Sequence, residues 1–562
     1  MKKYMVVPIA LLLIVLVLSG CSSASTSTST PATTTTTTSP VTTSTTPGAT
    51  TTAKPPTSTA PSATATAPTT TSPPATTTNK NGGTVRDIDP NTAATPIGVP
   101  WETSGTSVLY MQLSLECALK EYVDGSIGPN LATSFDVVSD PANPSVTLHF
   151  QKGVKFSDGT DFNAQAVKWN YDTMKTSNFY PSVTTYWKSV DIVDDYTVRI
   201  NMTQWLNKSL GSFAKSVTYL VSPTAFNKNG IDWLRWNMVG TGPFVQTSFA
   251  RDVSLTTAKN TNYWQKGQPY LDGFQYLFVA DEMTRVALFK SGGGEILNLQ
   301  NNGRLALDMQ SAGYKIVQQL NSVDVLVPDS ANADSPWSNL KVRQAAEYAI
   351  DKESLAKTFG FGFWTANYQM NTSNSIAYDK NLQGRVYDVA KAKQLLTDAG
   401  YPNGFKTSLI ASTAASRDIV ATLQSYLGKV GIQADIQMVA PTLYNGYTFT
   451  GTPWKNALIL NSYSQNPNPT QGFNGSFGLG KAFSSTGRPA GWMDTLTAAM
   501  VTPTLQPALI QKVEDLAVDY VLTIPLYSTS SLWAIVPSLQ DSGLGTRGDP
   551  NFAEVQNMWF KK

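Results

Sequence analysis

Residues 22–78 cannot fold, and that confines the folded body to the chain beyond Thr78. Of these 57 positions 36 are Ser or Thr and 9 are Pro. Val41 is the only large aliphatic residue, and no residue is aromatic. Nothing there can be buried to offset the entropy lost on ordering the chain. Such Ser/Thr/Pro tracts favour extended conformations and often act as glycosylated stalks. As polyproline II the run reaches roughly 175 Å, at about 3.1 Å per residue. It reads as a tether, and folding falls to the 484 residues from Asn79 onward.

The segment before the tether sets the compartment. Lys2 and Lys3 precede Val6–Leu18, an apolar run broken by Pro8 and followed by Leu18-Ser19-Gly20-Cys21. This is the pattern of a secretory signal, and the run is short for a membrane span. Leu-Ser-Gly-Cys resembles the lipobox of bacterial lipoproteins, which implies a signal peptide over 1–20 and an acylated Cys21 as the mature N-terminus. The expected localisation is the cell membrane, lipid-anchored and facing the extracytoplasmic side. The tether, 21–80, would then carry the body through a cell envelope.

Charge and cysteine counts narrow the function. The chain has 41 Lys+Arg and 39 Asp+Glu. Only Lys2, Lys3 and Lys54 precede Asn79, so the body carries 38 basic and 39 acidic side chains. A near-neutral body excludes a phosphate-driven nucleic-acid binder. With Cys21 acylated, Cys117 has no partner for an intramolecular disulfide. Its neighbours Leu115, Ala118 and Leu119 suggest a buried, inert thiol.

Little in the body points to catalysis. A Ser or Cys triad needs a His as base. The single His, His149, lies in the alternating strand Val146-Thr147-Leu148-His149-Phe150. No His/Cys cluster offers zinc ligands. Neither a Walker A run nor a dinucleotide fingerprint is present. Ser212-Phe213-Ala214-Lys215 and Ser338-Asn339-Leu340-Lys341 fit Ser-x-x-Lys but lack the companion motifs of the penicillin-recognising hydrolases. The chain is read as a non-enzyme without cofactor or metal.

Helical and strand periodicities alternate along the body, which indicates α/β architecture. Asn163 is placed to cap a helix burying Ala166, Val167 and Tyr171. Ser338 is expected to cap a second, with Val342, Ala345, Ala346, Ala349 and Ile350 on one face. Asp388 is expected to cap a third, closed by Gly400 and Pro402. A helix around Ile419–Leu427 precedes a strand alternating Ile432, Ala434, Ile436 and Met438. A late helix, Ala508–Val521, leads into an apolar strand over Leu522–Leu526.

The order of short motifs resembles the family 5 extracellular solute-binding proteins, which serve ABC importers of peptides, oligosaccharides, nickel chelates and other solutes. The markers include Lys152-Gly153-Val154-Lys155-Phe156-Ser157-Asp158-Gly159-Thr160, Val239-Gly240-Thr241-Gly242-Pro243-Phe244, Asn262-Tyr263-Trp264, and Val342-Arg343-Gln344-Ala345 with Tyr348-Ala349-Ile350-Asp351-Lys352. The resemblance implies a two-lobed, periplasmic-binding-protein-like (type II) α/β clamp with an extra domain inserted in the first lobe. It assigns 81–105, 236–322 and 530–562 to the first lobe, 106–235 to the insert and 323–529 to the second lobe. The lobes should be joined by crossings near Asn321–Val327 and Leu526–Ser531. It further implies a monomer that captures a small solute and hands it to ABC permease subunits. A secreted hydrolase, or a surface adhesin or signalling receptor on the same fold, is the alternative.

Ligand contacts are expected from two sources. One is rings in glycine- and proline-rich loops: Trp364 and Tyr368 after Phe359-Gly360-Phe361-Gly362-Phe363, and Trp454 after Thr450-Gly451-Thr452-Pro453. The other is Tyr463, Gln465, Asn466 and Asn468, in the segment resembling the family's aliphatic-Gly-Trp-x-x-Asp-x-x-Asp-Pro strand end. There Gln465 stands where peptide-binding members place an Asp against the ligand's α-amino group, and Asn468 replaces the second acid. No Arg occurs between Leu409 and Ser416, where the dipeptide binders carry one. Amides cannot neutralise an ammonium group. The expected solute is therefore uncharged or weakly charged, such as an oligosaccharide, rather than a free dipeptide. A longer peptide held through its backbone is second.

Overall fold

The computed structural model describes residues 80–177, 181–549 and 552–562. The signal sequence, Cys21 and the tether lie outside the described residues.

One large sheet carries the architecture. Among the described residues its strands run, edge to edge, Ile432–Val439, Phe405–Ser412, Ala457–Ser464, Lys315–Pro328, Ile524–Ile535, Ile296–Gln300, Thr84–Asp89, Gly273–Phe278, Ser254–Lys259 and Phe244–Ala250. Its two halves are covered on both faces, and the sequence shows why. In the first half Val85, Ile296 and Trp533 point into one core, while their neighbours Ile88, Leu297 and Leu532 point into the core behind. In the second half Leu326, Leu409 and Leu458 face one layer of helices, and Val325, Ile410 and Ile459 face the other. A strand buried on both faces is apolar at successive positions, as at Ile296-Leu297, Leu532-Trp533, Val325-Leu326, Leu409-Ile410 and Leu458-Ile459. The fold is the two-lobed mixed α/β type expected from the sequence.

The lobes share two strands rather than meeting through loops. Lys315–Leu320 pairs with Ser530–Ile535 in the first half, and Ser322–Leu326 with Ile524–Thr529 in the second. The register shifts between Leu320 and Ser322, leaving Asn321 as an extra residue in the ladder. Such a bulge bends a strand and raises its local twist. Asn321 is held by its side chain, which donates to Ser531 Oγ at 2.7 Å, and its carbonyl accepts from Gln465 N at 2.8 Å.

The extra subdomain is a four-stranded antiparallel sheet, ordered Ala132–Val138, Ser145–Phe150, Thr197–Met202, Trp187–Asp194. It has no core of its own. Val146, Leu148 and Ile200 belong to the same cluster as Phe244 and Phe274 of the large sheet and Met558 near the C-terminus. The chain end packs here too. Trp559–Phe560 pairs with Leu539–Gln540, and the Phe560 ring lies so close to Gly83 that a Cβ there would meet it at 2.7 Å.

Local expectations hold at most helix ends. Asn163 Oδ1 accepts from Ala166 N at 3.0 Å to start Ala164–Lys175, and Asp388 Oδ1 accepts from Lys391 N at 2.9 Å to start Val389–Asp398. The helix Arg417–Gly428 and the strand Ile432–Val439 match their periodicities. Ser338 is a correction. It ends a 3-10 turn, Pro336–Ser338, capped by Ser335, and the next helix, Leu340–Ala349, is capped by Asn339. Pro336 fits the first position of that turn, so helical geometry begins early and restarts one residue later than expected. The strand after Pro507–Tyr520 is also longer than expected, running Ile524–Ile535 because it crosses both lobes. No helix of the described residues is long and apolar enough to cross a membrane.

Candidate functional site

Where the crossing strands bend, the lobes and the subdomain enclose a cavity of about 320 Å³. Gln319, Leu320 and Asn321 form its floor. Ser464–Pro467 and Thr372 come from the second half of the large sheet and its loops, Glu121 and Lys215 from the segments flanking the subdomain sheet, and Arg547 and Asp549 from the C-terminal stretch. The walls touch at Pro467. A Cβ on Gly548 would sit 2.7 Å from Pro467 Cγ, and one on Gly125 would sit 2.4 Å from the Pro467 carbonyl oxygen. Both glycines are required by this close approach. Gly125 also has φ +80°, which favours glycine.

Of the residues singled out in the sequence, Gln465 and Asn466 line this cavity. Gln465 is already engaged. Its Oε1 accepts from Thr372 N at 3.0 Å and Thr372 Oγ1 at 3.3 Å, and its Nε2 donates to the Met370 carbonyl at 3.3 Å. It ties the strand end Ser464 to the loop 370–372. Asn466 Oδ1 accepts from Asn468 N at 3.0 Å and shapes the turn.

The remaining expected contacts lie elsewhere. Asn468, 3 % exposed, caps the helix Pro469–Phe477 and donates to Asn207 Oδ1 of the subdomain at 2.9 Å. Tyr463 is buried beneath Gly472. Trp454 is buried against Tyr447 and Phe483, and its backbone N donates to Ser485 Oγ at 2.8 Å. Trp364 stacks on Tyr527 at 4.7 Å between ring centres. Tyr368 lies over Lys352 Nζ at 4.7 Å, and its hydroxyl donates to Glu353 Oε1 at 3.3 Å. Burial lowers the Lys352 ammonium to about 8, so the ring and Glu347 shelter a cation that water does not reach. None of these four rings lines the cavity; among the described residues its one aromatic wall residue is Phe552.

Charged groups stand in the cavity wall beside the amides, and of these the sequence singled out Lys215 alone. Lys215 Nζ forms an ion pair with Glu121. Arg547 Nη1 donates to Glu554 Oε1 at 3.1 Å, and its Nε donates to the Glu121 carbonyl at 3.3 Å. Lys120 Nζ meets the other oxygen of Glu554 at 2.7 Å. Burial alone would raise the Glu554 carboxyl, but Lys120 and Arg547 outweigh it and hold the group below its usual range.

The groups weighed for catalysis are occupied by structure. His149 stands on a subdomain strand, with Nε2 2.8 Å from Asp136 Oδ2 and Nδ1 3.3 Å from Thr197 Oγ1. Ser212 Oγ donates to the Ser209 carbonyl at 2.6 Å rather than to Lys215. Cys117 Sγ donates to the Lys215 carbonyl at 3.1 Å, and burial pushes its thiol up to about 12. No cluster of metal-binding side chains occurs among the described residues.

Two α/β lobes sharing paired strands thus set charged and hydrogen-bonding groups around one polar cavity at the crossing. The chain belongs to the bacterial extracellular solute-binding proteins, family 5; residues 126–485 match the family's middle region. The glutathione-binding protein GsiB of Salmonella choleraesuis (strain SC-B67) is 32% identical over 315 residues, covering 54% of this chain and 60% of GsiB. The chain thus aligns with about 60% of the length of that relative. Among solved structures, an ABC transporter substrate-binding protein from Sinorhizobium meliloti superposes with a TM-score of 0.72 at 22% identity, covering 85% of this chain and 100% of that one. DppA from Helicobacter pylori, in complex with the peptide STSA, gives 0.66 at 19% identity, covering 86% and 99%. These two share the fold.

Proposed function

We propose that the chain is the extracytoplasmic receptor of an ABC importer, taking a peptide-like solute into the cavity between its lobes and delivering it to membrane permease subunits. The observation that carries this reading is the cavity wall, which comes from both lobes and holds charge of both signs beside amides and hydroxyls. Such a wall suits a solute with charged ends and hydrogen-bonding groups between them. GsiB is named for glutathione and the DppA structure holds a peptide, and both names favour the same solute class. The expectation of a sugar rested on rings and neutral amides. Arg547, Asp549, Lys215 and Glu121 supply the charge that Gln465 and Asn468 lack, so the peptide reading is the better supported.

In this reading the receptor acts as a monomer, held to the membrane by a lipid on Cys21 with the Ser/Thr/Pro-rich run as tether. Mass spectrometry of solute released from the purified, denatured protein tests the solute class. A peptide or peptide derivative is the expected result; a co-purified oligosaccharide overturns it. Radiolabelled palmitate tests the anchor: label should enter the wild type and not Cys21→Ser, and equal labelling removes the anchor.

A further inference from the structure

The cavity wall carries two cations, Lys215 and Arg547, and two carboxylates, Glu121 and Asp549. Lys215 and Glu121 pair one to one. Lys120 and Arg547 instead share the single carboxylate of Glu554, and the three side chains are only 14, 12 and 15 % exposed. Glu116, the next carboxylate inward, accepts from Tyr263 Oη at 2.8 Å on one oxygen, and from Thr241 Oγ1 at 2.8 Å and Trp264 Nε1 at 2.9 Å on the other. A cation this far out of water calls for an opposite charge, and its attraction to one is strong at low local dielectric.

The geometry of Arg547 points that demand at the solute. Its Nε and Nη1 are held by the Glu121 carbonyl and by Glu554, so the guanidinium plane is fixed. Its backbone is fixed as well: the carbonyl accepts from Gln319 Nε2 at 3.1 Å, and Gly548 N donates to the Glu121 carbonyl at 3.0 Å. The residue lines the cavity, and no described residue accepts from Nη2. A planar fork with a spare arm suits a carboxylate, with geometry that an ammonium on a flexible stem does not provide.

We propose that Arg547 is the specificity-determining residue that receives a carboxylate of the solute, so that the cavity selects peptide-like solutes ending in a free acid over those ending in an amide. This rests on the peptide reading above and places the anion contact on the first-lobe side, at the chain's C-terminal stretch.

Calorimetry on the full mature chain tests it with two probe pairs: glutathione and its glycine amide, and the tetrapeptide Ser-Thr-Ser-Ala and its C-terminal amide. The wild type should bind at least one free acid about tenfold or more tightly than its amide, the size of one charge-assisted contact. Arg547→Gln should lose that discrimination, weakening the acid much more than the amide. Arg547→Lys, which keeps the charge without the fork, should retain part of it. Should Arg547→Gln fail to fold, the acid–amide comparison on the wild type and Arg547→Lys still decides. Equal binding of acid and amide by the wild type, or full discrimination by Arg547→Gln, overturns the role of Arg547 and leaves the peptide reading standing. Failure of the wild type to bind any of the four probes counts against the peptide reading, and the Arg547 assignment falls with it.

Discussion

Asn207 of the subdomain and Asn468 of the second lobe meet across the cleft at 2.9 Å, both almost wholly buried. Asn207 extends the contact: its N donates to the Met500 carbonyl at 2.8 Å and its Nδ2 to the Ala499 carbonyl at 2.7 Å. Beside it Trp205 Nε1 donates to the Thr502 carbonyl at 2.9 Å. Together these bonds form a latch that exists only while the lobes are together. Asn207→Ala leaves the Asn468 amide buried without its acceptor, at a cost of about 1–3 kcal/mol, while the Ala499 carbonyl keeps Thr502 Oγ1 at 3.1 Å. Small-angle scattering of the unliganded variant should give a larger radius of gyration than the wild type, and its solute affinity should fall. An unchanged scattering curve and affinity would remove the latch.

Gln465 should act through the loop it holds. Gln465→Ala frees Thr372 N and the Met370 carbonyl, at about 1 kcal/mol or somewhat more. Hydrogen exchange should speed at residues 370–374 and solute binding should weaken. Weaker binding with unchanged exchange would mean that Gln465 touches the solute directly.

The same loop is tied from beneath by Glu514, whose oxygens accept from Met370 N at 2.5 Å and Asn371 Nδ2 at 2.6 Å. Burial raises its carboxyl from 4.5 to about 7 against those hydrogen bonds. Burial likewise raises Asp324, on a crossing strand, to about 6. Groups raised in the folded state bind more protons there than in the unfolded chain. Their stabilising effect is complete below the unfolded value and is lost as pH rises through the folded one. The protein should therefore be less resistant to urea at pH 7.5 than at pH 5. Glu514 should contribute roughly 2 kcal/mol of that difference. Glu514→Gln should flatten the dependence; an unchanged slope would show that other groups set it.

Cys117 should resist alkylation. Its thiol is buried and pushed up to about 12, so almost no thiolate exists near neutral pH. Iodoacetamide should label the protein in urea and leave the native form untouched over hours. Rapid native labelling would reveal an opening of the core around Leu115 and Leu119.

The sequence spoke most clearly where causes are local. Asn163 and Asp388 cap helices because a short polar side chain precedes an amphipathic run. Val325 and Leu326 report a doubly covered strand by being apolar in succession. Ser338 misled because the same signal allows a start at Ser335, Ser338 or Asn339, and Pro336 decided between them. The cavity was far less legible. Glu121, Gln319, Gln465 and Arg547 are brought together only by the crossing strands, and no spacing in the chain announces that. Trp454 is expected to face a ligand because loop residues are exposed on average, and Tyr463 because its strand end resembles the family's binding segment, yet neighbouring segments cover both. Arg547 sits in Thr546-Arg547-Gly548-Asp549, which reads as an ordinary turn.

The bulge at Asn321 gives the molecule a preferred line of bending. Two neighbouring strands bonded rung by rung resist sliding past each other, so the lobes cannot part by shear without breaking the ladder. They can fold about the kink, as the covers of a book turn about the spine. Turning about the kink draws Pro467 away from Gly125 and Gly548, against which it rests in this structure.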